Sequence, residues 1–255
     1  MIYSHLGVIY NKVIMIVQKK WGNRMAKRRS VYLDYSATTP TDPRVLDAMM
    51  PYFTEAYGNA LSIHGYGRKA ETAVEDARET IARIFNCKPN EIIFTSGGSE
   101  SDNLAIRGAA LSRRDEGKHL ITTPVEHSAV SRTIQQIVDL MGFSHTVLPV
   151  DAYGMVDLDV FTSAITPETT VASVIYANNE VGSINPIRAL ADAAHAQGVL
   201  LHTDAVQAAG QLTLDVEQIG VDMVSISAHK FYGPKGVGAL YCRDGIDLIA
   251  HNAGG

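Results

Sequence analysis

From Val31 onward, short runs of apolar and β-branched residues alternate with longer stretches whose apolar positions recur at helical spacing. Between Glu71 and Phe85, residues Ala73, Val74, Ala77, Ile81, Ile84 and Phe85 form one stripe, which predicts an amphipathic helix packing a single face. The run Glu91 to Thr95 then predicts a short strand, closed by Gly97-Gly98. Further strands are predicted over His119–Thr123, Thr146–Val150, Val171–Tyr176, Val199–Thr203, Met223–Ser227 and Val237–Cys242, making seven in all. Helical segments such as Ser131–Met141 and Ile187–Gln197 separate most of them. Near-continuous apolar strands alternating with helices imply an α/β fold, a mainly parallel seven-stranded sheet with helices on both faces.

In such a sheet, ligands bind beyond the carboxyl ends of the strands. The residues following each strand are therefore the first place to look for chemistry. Ser96-Gly97-Gly98-Ser99-Glu100 follows the first strand and Glu126-His127 the second. Asn178-Asn179-Glu180 follows the fourth, Asp204 and Gln207 the fifth, and His229-Lys230 the sixth. These polar residues are expected to converge on one edge.

Composition narrows the function classes. At 255 residues, 46% hydrophobic and 19% charged, the chain can bury a large core. A net charge of −5 without a long basic block argues against nucleic acid or an anionic membrane as partner. Two distant cysteines, Cys87 and Cys242, form no zinc pattern or disulfide framework and fit a reducing, cytoplasmic setting. Both read as buried structural thiols. Within residues 1–24, Met1 to Val17 is apolar and β-branched but interrupted by Lys12 and followed by Lys19, Lys20 and Arg24. That stretch is too short for a spanning helix and is expected to be a non-structural extension, with the domain covering 25–255.

Lys230 follows the apolar run Val221–Ser227 and precedes Gly233-Pro234-Lys235-Gly236. Such a lysine is either an ordinary loop residue or a covalent catalyst whose amine spends part of its time neutral. Ser96-Gly97-Gly98-Ser99 is either a phosphate cup at a helix start or a plain turn with an N-cap serine. Asp204 closes an apolar strand, where an unpaired charge is costly, so it needs a cationic partner. A protonated pyridine nitrogen would serve, and Asp204 with Lys230 on neighbouring strand ends is what a pyridoxal phosphate enzyme requires. His202 and Asp204 share a face and could ligate a metal, but no third ligand is evident, and no metal is expected.

These residues resemble a known family. Tyr32-Leu33-Asp34-Tyr35-Ser36-Ala37-Thr38-Thr39-Pro40, Phe94 to Asn103, Glu126-His127, Asn178 to Gly182, His202 to Gln207 and Ser227 to Gly236 are similar, in order, to the motifs of cysteine desulfurases. Those are class V aminotransferase-type enzymes of the fold-type I pyridoxal 5'-phosphate superfamily. The resemblance implies that Lys230 forms the Schiff base and moves the α-proton. It implies that Asp204 pairs with the pyridinium, Gln207 bonds the phenolic oxygen, and His127 stacks on the ring and shuttles protons. Gly98, Ser99, Ser227 and His229 would hold the phosphate, and Asn179 would contact the adduct.

L-cysteine would be the substrate, giving L-alanine and an enzyme persulfide. The sulfur would pass to an iron-sulfur scaffold or to tRNA thiolation, and the enzyme would be a homodimer. Family members continue into a smaller C-terminal domain with a mobile catalytic cysteine, so the chain is expected to be the large domain with the small one largely missing. Neither Cys87 nor Cys242 lies in a matching motif, and neither is assigned as the nucleophile. The alternatives are a cofactor-binding, dimerising subunit without its own sulfur transfer, and a selenocysteine lyase-type sister enzyme.

Overall fold

The computed structural model describes residues 30–254. The expected extension over 1–24 and the expected start of the domain at 25–29 lie outside the described residues. From Tyr35 onward the chain forms one unit organised by a seven-stranded sheet. Its strands are β1 (Ile92–Thr95), β2 (His119–Thr122), β3 (Ser144–Val147), β4 (Thr169–Ser173), β5 (Leu200–Asp204), β6 (Met223–Ser227) and β7 (Gly238–Cys242). They are arranged β1-β7-β6-β5-β4-β2-β3. Only the two pairings made by β7 are antiparallel.

The helices are α1 (Pro43–Thr54), α2 (Gly65–Phe85), α3 (Gly98–Ser112), α4 (Ser128–Met141), α5 (Leu158–Ala164), α6 (Ile187–His195) and α7 (Val216–Ile219). Their ends follow from local chemistry. Asp42 accepts the Arg44 amide ahead of Pro43 to start α1, and Asp157 accepts two amides to start α5. Gly142 stops α4 in the left-handed region, at φ 73°.

Strand alternation divides the interior into two cores. Leu120, Val171, Met223 and Leu240 pack with Ala105, Ile106 and Ala109 of α3 and Val130 and Ile134 of α4. Their neighbours Ile121, Ala172, Val224 and Tyr241 pack on the opposite face with Phe85 of α2, Phe161 of α5 and Leu190 of α6. Helices therefore cover both faces, as the period-2 pattern of apolar strands demands.

Two strands differ by two or more residues from the sequence expectation, the others by one at most. β3 begins at Ser144 rather than Thr146 because it is an edge strand with a half-exposed face, where Ser144 and His145 are tolerated. β4 begins at Thr169 and ends at Ser173, so the apolar residues through Tyr176 run past the strand into the site loop. Among the described residues, no helix is long and apolar enough to cross a membrane.

Candidate active site

Leu200 packs in the α3 core and Leu201 in the α6 core, so alternation carries His202 and Asp204 to the α3 side of the sheet. The same count brings Ser225 and Ser227 of β6 and Ser173 of β4 to that side. Beneath the amino-terminal half of α3 the sheet is therefore polar, while beneath the rest it is apolar. The Ser173 hydroxyl meets His202 Nδ1 at 2.9 Å, and His202 Nε2 meets the Ser225 hydroxyl at 2.9 Å. Burial drives the His202 pKa down to about 3, so the ring is neutral.

Asp102 descends from α3 onto this row. It is 1% exposed, and its Oδ1 lies 3.6 Å from His202 Nε2 with no hydrogen-bond partner of its own. Asp204, 4% exposed, accepts the Val206 amide at 2.9 Å. Carboxylate and imidazole atoms of Asp102, His127 and Asp204 lie within 4.8 Å of one another. Asp102 from α3 and His127 from the loop before α4 thus join Asp204 from outside β5, while His202, its partner in the pair weighed from the sequence, is not in this group. Burial pushes the Asp204 carboxyl above its ordinary range, opposed by the Val206 amide and by the nearby His127 and Lys230. The Asp102 carboxyl is likewise pushed above its ordinary range, by burial and then by Asp204.

His127 is the N-cap of α4 and accepts the Ala129 amide at 3.1 Å through Nδ1, which orients its ring. The loop before it is pegged by Glu126, whose Oε1 accepts the Thr123 hydroxyl at 2.7 Å and the Ile175 amide at 2.8 Å. Burial pushes the Glu126 pKa up to about 8, and its other oxygen is buried without a partner.

Lys230 closes a 3-10 turn, Ala228–Lys230, directly after β6. A segment almost two hundred residues upstream straps this turn down. Thr39 donates both its amide and its hydroxyl to the His229 carbonyl at 2.9 Å and accepts the Tyr232 amide at 2.8 Å. Lys235 donates to the Thr39 carbonyl at 3.0 Å, and His229 Nδ1 meets the Thr38 hydroxyl at 3.0 Å. Lys230 and Gln207 both donate to the Ser36 carbonyl, at 2.5 and 2.7 Å. Burial, then Lys230 and Lys235, lowers the His229 pKa.

The start of α3 is shaped by close approach. Gly97, at φ 151°, is the N-cap and supplies no side-chain cap, so the alternative of a turn capped by serine does not hold. A Cβ on Gly98 would lie 2.7 Å from Val206 Cγ2 and 3.5 Å from Ser227 Cβ. Gly98, Ser227 and the β5 loop are therefore packed together, with Ser99 exposed beside them.

A family model for aminotransferase class-V matches residues 31–252. The chain belongs to the aminotransferase class-V family. Within that family it is 50% identical over 221 residues to a protein of Dictyoglomus turgidum named cysteine desulfurase IscS, covering 87% of this chain and 56% of that protein. It is 52% identical over 214 residues to the protein of that name from Methylococcus capsulatus, covering 84% and 53%. A solved NifS-like protein superposes with a TM-score of 0.86 at 39% identity, over 89% of this chain and 62% of that one. A structure described as SspA in complex with cysteine gives 0.85 at 39%, over 89% and 65%. The chain thus spans a little over half the length of these curated relatives.

Of the site residues expected from sequence, His127 and Asp204 meet, Lys230 and Gln207 share one acceptor, and Gly98 and Ser227 touch. His229 sits under the strap, and Asn179 is exposed. Its neighbour Asn178 pins that loop, accepting the Glu180 and Val181 amides and donating to the Val125 carbonyl. Sequence reasoning missed Asp102, although a carboxylate beside the small and apolar stripe Ser101, Ala105, Ile106, Ala109 signals an inward charge. It also missed the grip of residues 36–39 on the Lys230 turn.

Proposed function

We propose that this chain holds pyridoxal 5'-phosphate and serves a cysteine desulfurase, which takes sulfur from L-cysteine to give L-alanine and a protein-bound persulfide. One observation carries the reading: a buried carboxylate, Asp204, ends the strand beside the one whose following turn presents Lys230. The curated relatives bear the desulfurase name, which supports the substrate class.

The residues fit the cofactor. An anionic group of moderate size matches the uncapped amides of α3, with Gly98 allowing close approach and Ser99, Ser227 and His229 offering donors. A cationic ring nitrogen matches Asp204, whose burial otherwise penalises its charge. When bound, the cofactor supplies an aldehyde for an amine and a ring that accepts electron density from the substrate's α-carbon.

Lys230 is the residue that would supply that amine and move the α-proton. Asp204 would keep the ring nitrogen protonated, and Gln207, which donates to the Ser36 carbonyl, would be the donor for the ring oxygen. His127, oriented by its cap bond, covers the ring and shuttles protons, while Asn179 contacts the substrate side. The sulfur goes to an acceptor such as an iron-sulfur scaffold, in a cytoplasmic homodimer.

Titrating the 255-residue chain with pyridoxal 5'-phosphate and following visible absorbance tests the reading. A new band that Lys230→Ala abolishes is the expected result. An unchanged band in that variant removes Lys230 from the site.

A further inference from the structure

Two buried aspartates share this site, and the proposed chemistry employs only one of them. Asp102 and Asp204 come from different elements, α3 and β5, with carboxyl oxygens within 4.8 Å. A pair this close and this dry does not hold two negative charges, so one carboxyl keeps a proton. Another buried aspartate shows what full compensation looks like. Asp222 accepts the Leu201 amide at 2.7 Å, meets His195 Nε2 at 2.8 Å and pairs with Arg243 at 3.2 Å.

Asp102 lacks such help. On β5 it faces His202 and Asp204, on β6 it faces Ser225, and from the loop before α4 it faces Glu126 and His127. His127 also lies within 4.8 Å of Asp204, whose charge Lys230 supports as well.

We propose that Asp102 is a positioning residue for Asp204: it takes the proton of the pair, anchors the Ser225–His202–Ser173 ladder with it, and so leaves the single negative charge on Asp204. The ladder accommodates this direction. Asp102 donates to the Ser225 hydroxyl, Ser225 donates to His202 Nε2, and the Nδ1 proton of His202 goes to Ser173. Each bond is used once, and a neutral His202 suffices. The inference deepens the cofactor reading and rests on it for the purpose of the charge, which is to meet a cationic ring nitrogen. The location of the proton rests on the chain's own residues.

Infrared spectra of the cofactor-free 255-residue chain, labelled with 13C only in aspartate, decide the matter at neutral pH. Selective labelling sets Glu126 aside. A protonated aspartate band is expected in the wild type, lost in Asp102→Asn and kept in Asp204→Asn. A band absent from the wild type, or kept in Asp102→Asn, overturns the proposal.

Cofactor titration supplies the second readout. Asp102→Asn, whose amide still donates to Ser225, should bind pyridoxal 5'-phosphate nearly as the wild type does. Asp102→Ala should bind about tenfold more weakly, the scale of a lost supporting hydrogen bond one group removed from the ligand. Equal affinity in both variants overturns the positioning role. Failure of the wild type to bind the cofactor overturns the cofactor reading alone, because the infrared bands still report the pair.

Discussion

Glu126 shows how one side chain ties stability to the site. Its Oε1 joins the loop before α4 to the chain just beyond β4, yet its other oxygen is buried without a partner. Burial raises its pKa from an ordinary 4.5 to about 8. A carboxyl that binds its proton more tightly when folded stabilises fully below 4.5 and loses that contribution as pH climbs to about 8. His202 works in the opposite sense: its depressed pKa stabilises above 6.5, and the benefit fades as pH falls toward about 3. Between pH 6.5 and 8 the Glu126 slope therefore stands clear of the histidine. In that interval the wild type should lose stability faster than Glu126→Gln, by about 1.4 kcal/mol per pH unit at most. Urea unfolding midpoints of the two proteins at both pH values measure this. Equal losses would place the titrating proton on another group.

At the scale of elements, the site depends on how closely α3 can approach β6 and β7. A Cβ on Gly238 would lie 2.7 Å from Gly97 Cα and C and from the Ile226 carbonyl oxygen, all backbone atoms that cannot rotate away. Gly238→Ala should therefore cost about 1–3 kcal/mol or more and weaken cofactor binding in parallel, since the α3 amides move with Gly97. Gly65→Ala is the control, because a Cβ there meets nothing within 4 Å. Thermal melts of the two variants should separate clearly, and similar melting would mean that the contact relaxes freely.

Elements of this kind were only partly legible in the sequence. β6 could be read to the residue because Met223–Ser227 is buried along its whole length and a loop of glycines follows. β3 was misplaced because an edge strand with polar, half-exposed residues lacks the apolar run that marks a central one. Asp204 and Lys230 announced themselves as polar residues at the ends of apolar runs. Asp102 did not, since it lies within a helix and becomes part of the site only through the stacking of α3 on β5. The bonds from Ser36, Thr38 and Thr39 to the Lys230 turn cross about 190 positions, which no local periodicity records.

For the molecule as a whole, the proposed function requires a sulfur that receives another. An attacking thiol must ionise. Burial, then the charges of Asp222, Glu91 and Asp247, push the Cys242 thiol up to about 12, and burial with Glu91 pushes Cys87 up to about 11. Near pH 8 the thiolate fraction is on the order of one in a thousand for Cys87 and lower for Cys242. Position compounds the chemistry. Cys242 pairs with Met223 at the start of β6, whereas Gly238 pairs with Ser227 at the end that leads to Lys230. Four strand steps at about 3.4 Å put Cys242 roughly 14 Å along the sheet from that end. Cys242 is also buried, and Cys87 is partly buried against the α6-side core. The sequence expectation of two buried thiols thus holds for Cys242 and only partly for Cys87. The 255-residue chain loaded with pyridoxal 5'-phosphate should consequently change its visible spectrum when L-cysteine is added, yet carry no extra sulfur on either cysteine by intact-mass and peptide analysis. Replacing both with serine should leave the spectral response unaltered. A persulfide forming on Cys87 or Cys242 at turnover rates would show that the native packing opens far enough to expose a thiolate, and would return the nucleophile to this chain.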